Sequence, residues 1–287
     1  MTGKIPKVSV IVCTHNRAKI LSGCLQSLVG LNYPQRFLEI IIIDNASTDS
    51  TKNLVKKFTV KNHNVRYYYQ SILGLSQSRN KGIQLAKGEI LAFIDDDARA
   101  ESNWLKELVA GYGSEAIWAV GGLVKPLFLQ SPPPWMPSKY FYVLSVCNLG
   151  SRLKPVPDII GTNMSFRKTV FSKIGYFNSK LGRIGNSLLS GEEIDLCQRI
   201  IKYNKKIIYN PKAVVCHLVP KSRLTKKYYT QRLFAEGMSL ARLKNKRINL
   251  SRLGQIIYSV IKFVFYPKFS NWFDLVLNAG YVYGLFL

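Results

Sequence analysis

The sequence predicts an α/β fold: a mostly parallel central sheet flanked by helices, with a helical C-terminal extension. Three observations predict it. Short apolar runs of strand length recur with helical stretches between them, the runs are continuous rather than alternating, and the last part of the chain turns basic and aromatic. A chain of 287 residues is long enough to bury a large core.

The expected strands are Val8–Cys13, Glu39–Ile43, Val65–Tyr69 and Ile90–Ile94, and their unbroken Val/Ile content implies burial on both faces. Helices are expected between them at Arg17–Leu28, Asp49–Phe58 and Leu75–Ala86, and after them at Ser102–Tyr112. The second opens on Ser, Thr and Asp residues able to cap free N–H groups. This repeating pattern stops near Pro126. Gln130–Pro137 (QSPPPWMP) holds too many prolines for a helix or a central strand and reads as a surface loop. A strand at Ile159–Phe166, a helix near Glu193–Tyr203, a strand at Lys206–Val215 and basic helices from Leu224 onward complete the chain. The expected division is residues 1–220 for the α/β domain and 221–287 for the extension.

Lys and Arg number 41 against 16 Asp and Glu, so the formal charge of +25 calls for an anionic partner: nucleic acid, anionic lipid or a nucleotide diphosphate. The cations crowd into Lys221 to Lys268, where Lys226, Lys227, Arg232, Arg242, Lys244, Lys246, Arg247, Arg252 and Lys262 face Glu236 alone as an anion. Five cysteines without CxxC spacing imply free thiols and a reducing cytosol. The N-terminus offers only Val8–Cys13 as an apolar run, too short for an export signal, so no export is expected. Near the C-terminus, LGQIIYSVIKFVFYP and NWFDLVLNAGYVYGLFL are interrupted by Lys262, Pro267, Lys268, Asn271 and Asp274. Both fall short of the roughly 18–20 unbroken apolar residues that span a bilayer. They suit helices lying on the inner face of an anionic membrane, or helices packed on the protein body or on a second copy of the chain.

In an open α/β sheet, ligands bind beyond the carboxyl ends of the strands. Those ends read Thr14-His15-Asn16-Arg17, Asp44-Asn45-Ala46-Ser47 and Asp95-Asp96-Asp97. Three adjacent carboxylates repel one another unless a cation neutralises them, and Mg²⁺ or Mn²⁺ prefers such oxygen ligands. The bland alternative is a solvated acidic turn that caps the next helix.

The segments VSVIVCTHNRAKIL, IIIDNASTDST, GLSQSRNKGI, LAFIDDDA, IIGTNMSFRKTVFSKIGYFN and SGEEIDLCQRI occur in the order and spacing that resembles the family 2 glycosyltransferases, from Lys7 to His217. The resemblance implies a Rossmann-like GT-A fold, a nucleotide-sugar donor, usually UDP-linked, a divalent metal, and inversion at the anomeric carbon. Its expected acceptor is a saccharide or a lipid-linked sugar. It implies nucleotide contacts from Thr14, Asn16, Arg17, Asp44, Arg79, Asp95 and Asp96, with Asp44 at the base and Asp96 towards the ribose. Asp97 is the implied metal ligand, with His217 either a further ligand or a buried, hydrogen-bonded histidine. Gly161, Thr162 and Asn163 fall on the donor-sugar and acceptor side. The resemblance puts the catalytic base in a Glu-Asp pair, but here the block reads Gly191-Glu192-Glu193-Ile194-Asp195. Glu193 stands where aspartate is usual, and Glu192 is able to share the role. Trp135 and Trp104 each offer a flat face to a sugar, or pack in the core; Trp135 is taken as the acceptor-side residue.

Two other classes compete. A nucleic-acid-binding protein would use the cations, but it leaves the acidic strand ends unexplained and shows no recognition motif, so no nucleic-acid partner is expected. A catalytically silent scaffold would keep the nucleotide pocket while Glu193 fails as a base.

Overall fold

A computed structural model describes residues 5–185, 187–243 and 250–287. The chain opens with alternating strands and helices: β1 (Val8–Thr14), α1 (Ala18–Val29), β2 (Leu38–Asn45), α2 (Thr51–Lys61), β3 (Val65–Gln70), α3 (Leu75–Leu85) and β4 (Ile90–Ile94). Then come β5 (Ala98–Ala100), α4 (Trp104–Ala110), β6 (Ile117–Phe128), β7 (Lys154–Pro155), β8 (Asn163–Arg167), α5 (Thr169–Ile174), α6 (Glu192–Lys202) and β9 (Lys206–Val219). Three helices end the chain: α7 (Lys226–Leu243), α8 (Leu250–Phe265) and α9 (Phe269–Phe286).

The strands form one sheet in the order β3-β2-β1-β4-β8-β6-β9-β5, with β7 beside β9. The parallel character lies in the first four strands, where Val8 pairs with Leu38, Ile40 with Val65 and Val8 with Ile90. Strand β8 pairs antiparallel with β4 and β6, and β9 with β5 and β7, Ile90 facing Arg167 and Ala98 facing His217. The sheet is therefore mixed. Because successive strand residues point to opposite faces, Val10, Val12, Ile40 and Ile42 meet Leu21, Leu25 and Trp104 on one side. Ile11, Ile41 and Ile43 meet Ile83, Phe93 and Phe166 on the other. Two-sided burial is what the unbroken Val/Ile runs imply.

Several local expectations change. The strand expected at Ile159–Phe166 begins only at Asn163, and the helix expected over Ser102–Tyr112 narrows to Trp104–Ala110. Strand β6 was not anticipated. It holds Gly121, Gly122 and Pro126, which disfavour strands; a Cβ on Gly122 would lie 2.0 Å from the Ala213 carbonyl oxygen, so that close approach demands glycine.

The chain forms two compact units. One comprises residues 1–127, 145–179 and 192–218 and carries the sheet; the other comprises 128–144, 180–191 and 219–287. The passage near residue 220 is thus one of several crossings between units. In the second unit, α7 and α9 pack backbone to backbone. A Cβ on Gly237 would lie 2.0 Å from Leu277 O, and one on Gly280 2.0 Å from Phe234 O. Lys139 pairs with Asp274 at 2.8 Å, fastening the 128–144 segment to α9. Lys244, Lys246 and Arg247 of the basic run lie outside the described residues. Among the described residues, no helix is long and apolar enough to cross a membrane.

Candidate active site

Strands β1, β2 and β4 run parallel, so their carboxyl ends meet at one edge, with Thr14 beside Asp44 in the register. Thr14 Oγ1 donates to Asp96 Oδ2 at 2.7 Å, and Arg17 Nη1 donates to Asp96 Oδ1 and to Asp97 Oδ2, both at 2.9 Å. Burial pushes the Asp96 carboxyl up to about 6; Arg17 pulls it down, while neighbouring Asp97 adds to the rise. Asp96 in turn holds the Arg17 guanidinium above its ordinary value.

The turn after β4 is fixed by β9. Leu218 N–H donates to Asp97 O at 2.8 Å, and His217 Nε2 lies 3.1 Å from Asp97 Oδ1. Asp95, Asp97 and His217 each offer one ligand atom, and these atoms all lie within 4.8 Å of one another. Two carboxylates and one imidazole fit a divalent ion such as Mn²⁺ or Mg²⁺. The resemblance put only Asp97 and His217 in this role. Asp95 joins them because acids two positions apart can aim to the same side of an extended turn, while the intervening Asp96 turns to Thr14 and Arg17.

Asp95 is also tied to the rest of the site. Its Oδ2 accepts from Thr162 Oγ1 at 2.6 Å, and its Oδ1 lies 3.6 Å from Arg79 Nη2. Arg79 is buried over the Phe177 ring, 5.6 Å from its centroid, and its Nη1 donates to Glu192 Oε1 at 2.6 Å. Burial works against the Arg79 charge, but Glu192, Asp95 and Glu193 hold it protonated. Gly161 makes room for this guanidinium, since a Cβ there would lie 2.8 Å from Arg79 Nη2. The second Glu192 oxygen, Oε2, is buried without a hydrogen-bond partner among the described residues. Glu193 sits in the first turn of α6, half-buried.

Other expected residues serve the walls. Asp44 is buried and accepts from Tyr67 Oη at 2.7 Å and from Ser47 N–H at 3.0 Å. Asn16, at φ +51°, accepts from Thr48 N–H at 2.7 Å and braces the loop after β2. The Asn163 side chain is fully used: its Oδ1 accepts from Trp104 Nε1 at 2.8 Å, and its Nδ2 donates to Ala213 O at 2.8 Å and Leu123 O at 3.1 Å. Asn163 and Trp104 are both fully buried. Trp135 belongs to the second unit, where its half-buried ring meets Tyr229 edge-on at 5.7 Å and lies 6.1 Å from Phe273.

A match to the family described as Glycosyl transferase family 2 spans residues 9–175. The chain is 30% identical over 241 residues to the glucosyl-dolichyl phosphate glucuronosyltransferase of Haloferax volcanii, covering 81% of this chain and 76% of that one. Its fold is similar to that of a mannosyltransferase from Pyrobaculum calidifontis solved with GDP-Man and Mn²⁺, with a TM-score of 0.66 and 19% identity over 99% of this chain and 88% of that one. It is likewise similar to the S. aureus protein TarS (residues 1–349) solved with UDP-GlcNAc, with a TM-score of 0.58 and 16% identity over 95% and 91% of the two chains.

Proposed function

Because the chain belongs to glycosyl transferase family 2 and is a glycosyltransferase, we propose that it moves a sugar from a UDP-linked donor, with inversion, onto a saccharide or lipid-linked acceptor. One observation carries the reading: Asp95, Asp97 and His217 gather their ligand atoms within 4.8 Å beside the carboxyl ends of β1, β2 and β4. A lipid-linked acceptor is supported by the Haloferax volcanii relative, whose name specifies glucosyl-dolichyl phosphate.

In this reading, Thr14, Asn16, Arg17, Asp44, Arg79, Asp95 and Asp96 form the nucleotide side, with Asp44 towards the base. Asp95, Asp97 and His217 would hold a divalent ion, which would supply charge neutralisation for a departing diphosphate. Glu193 takes the proton of the acceptor hydroxyl as that oxygen attacks the anomeric carbon from the face opposite the diphosphate. Glu192 is held by Arg79, positions the turn that bears Glu193 and is able to share its role. Gly161 and Thr162 border the donor sugar through backbone and through their hold on Arg79 and Asp95. Trp135 offers the exposed part of its ring to the acceptor. The protein works at the cytoplasmic face of an anionic membrane, a location supported by its charge of +25.

The test is transfer by the purified chain from a panel of sugar nucleotides, with and without Mn²⁺. Glu193→Gln should lower turnover by about 10²–10⁴-fold, the usual contribution of a general base, while UDP still raises the melting temperature. Unchanged turnover in that variant removes Glu193 from the role. Absence of Mn²⁺-dependent turnover with every donor, alongside retained UDP binding, would leave a silent scaffold instead.

A further inference from the structure

The two apolar C-terminal helices have similar composition and opposite fates. Helix α9 is a core helix of its unit, burying Phe273, Val276 and Tyr281 while Gly280 meets α7. Helix α8 turns an apolar stripe outward. Leu253, Ile257, the pair Val260 and Ile261, and the pair Val264 and Phe265 recur about once per helical turn and are exposed, Phe265 to 72%. The face towards α9 carries the buried Ser259 and the half-buried Phe263, whose ring lies 5.6 Å from that of Trp272. Isolated exposed apolar residues are ordinary, but a continuous stripe of this size marks an interaction surface.

We propose that this outward face of α8 is a lipid-docking surface that lies flat in the headgroup region of an anionic bilayer. The proposal rests on the membrane location above and names the residues that achieve it. Charge selects the occupant. From Leu250 to Tyr266 the chain has no acid, and the sequence immediately before α8 carries Lys244, Lys246 and Arg247. Tyr258, Ile261, Lys262, Phe265 and Tyr266 line a shallow groove of about 320 Å³, so an ammonium group stands at the rim of an apolar, aromatic trough. Lys262 Nζ lies 5.5 Å over the Tyr258 ring. Cation, aromatic ring and aliphatic floor match lipid phosphate, glycerol backbone and acyl chain in that order. A second copy of the chain fits less well, because it would bring another charge of +25 to the same face. At 16 residues α8 is about 24 Å long, at ~1.5 Å per residue, less than the roughly 30 Å hydrocarbon core. A helix of that length lies on a bilayer.

The experiment is sedimentation of the full chain with vesicles of an equimolar mixture of phosphatidylcholine and phosphatidylglycerol, against vesicles of phosphatidylcholine alone, with no sugar nucleotide present. The intact chain should bind the anionic vesicles at least tenfold more tightly. Ile257→Glu with Val264→Glu should lower that binding at least tenfold, and Lys262→Glu should weaken it at low salt. Both should keep the native circular dichroism and the transfer rate to a water-soluble acceptor. Vesicle binding that is unchanged by the double substitution overturns the proposal. So does a lipid-free dimer in analytical ultracentrifugation that the double substitution converts to monomer, which assigns the stripe to a second copy. Lost transfer with retained vesicle binding would count against the enzymatic reading alone.

Discussion

Arg79 and Glu192 form a buried ion pair, 2.6 Å from Nη1 to Oε1, although 113 positions separate them in the chain. The pair joins the first turn of α6 to Asp95 at the end of β4, because the other Arg79 nitrogen lies 3.6 Å from Asp95 Oδ1. One guanidinium thus fixes how the turn that carries Glu192 and Glu193 faces the acidic strand end.

Arg79→Ala should be strongly destabilising. It strands the Glu192 carboxylate in a buried site, and removing one partner of such a pair typically costs about 3–5 kcal/mol. Urea denaturation checks this. In the double variant with Glu192→Gln, part of the loss should return, since the uncompensated charge is gone. A fully additive result would show that the two side chains do not act as a pair.

Metal removal should silence transfer. Chelation by EDTA should abolish turnover and added Mn²⁺ should restore it. Asp97→Asn should cost several kcal/mol of transition-state stabilisation, about a thousandfold in rate. Asp95→Asn should also weaken Mn²⁺ dependence, and a manganese titration of turnover reads both. An Asp95→Asn variant with an unchanged manganese requirement would return Asp95 to the nucleotide side.

Glu39 should govern part of the acid stability. Burial raises its carboxyl, but hydrogen bonds from Ser9 Oγ–H, the Lys87 N–H and Arg66 outweigh that and leave it below its ordinary value. A carboxyl lowered by folding stabilises fully above its unfolded value, near ~4.3, and loses that contribution as pH falls through the lower folded value. Glu39→Gln should cost about 1–3 kcal/mol at neutral pH. It should also flatten the fall in stability across the acid range, as chemical denaturation at stepped pH would show.

Two glycines in the terminal helices should respond in opposite directions. Gly237→Ala puts a methyl 2.0 Å from Leu277 O and should cost at least about 1–3 kcal/mol by overpacking. Gly254 has nothing within 4 Å of an added Cβ, so Gly254→Ala should stabilise α8 by about 0.5–1 kcal/mol. Thermal unfolding of the pair decides it.

How legible each feature was depended on whether its cause is local. Strands β1 to β4 stand out because burial on both faces writes itself as unbroken Val and Ile, and the parallel register then gathers Thr14 and Asp44 without further information. Strand β6 does not, since Gly122 answers to the Ala213 carbonyl on another strand. Asp95 was assignable in principle: its i, i+2 relation to Asp97 is a local signal. The Arg79–Glu192 pair leaves no periodic trace. The opposite roles of α8 and α9 are marked only by small residues, Gly280 and Gly284, which let α9 approach α7.

The interleaving of the two units has a consequence for synthesis. A nascent chain that has reached Val219 already contains Trp135, Tyr140 and Ser190, but Tyr229, Asp274 and Glu236, with which they pair, are still inside the ribosome or untranslated. These early segments wait with apolar rings uncovered until the last helices emerge, an interval in which a chaperone has most to protect. Cutting the gene after the sheet would therefore yield a protein with a sticky flank instead of a minimal enzyme.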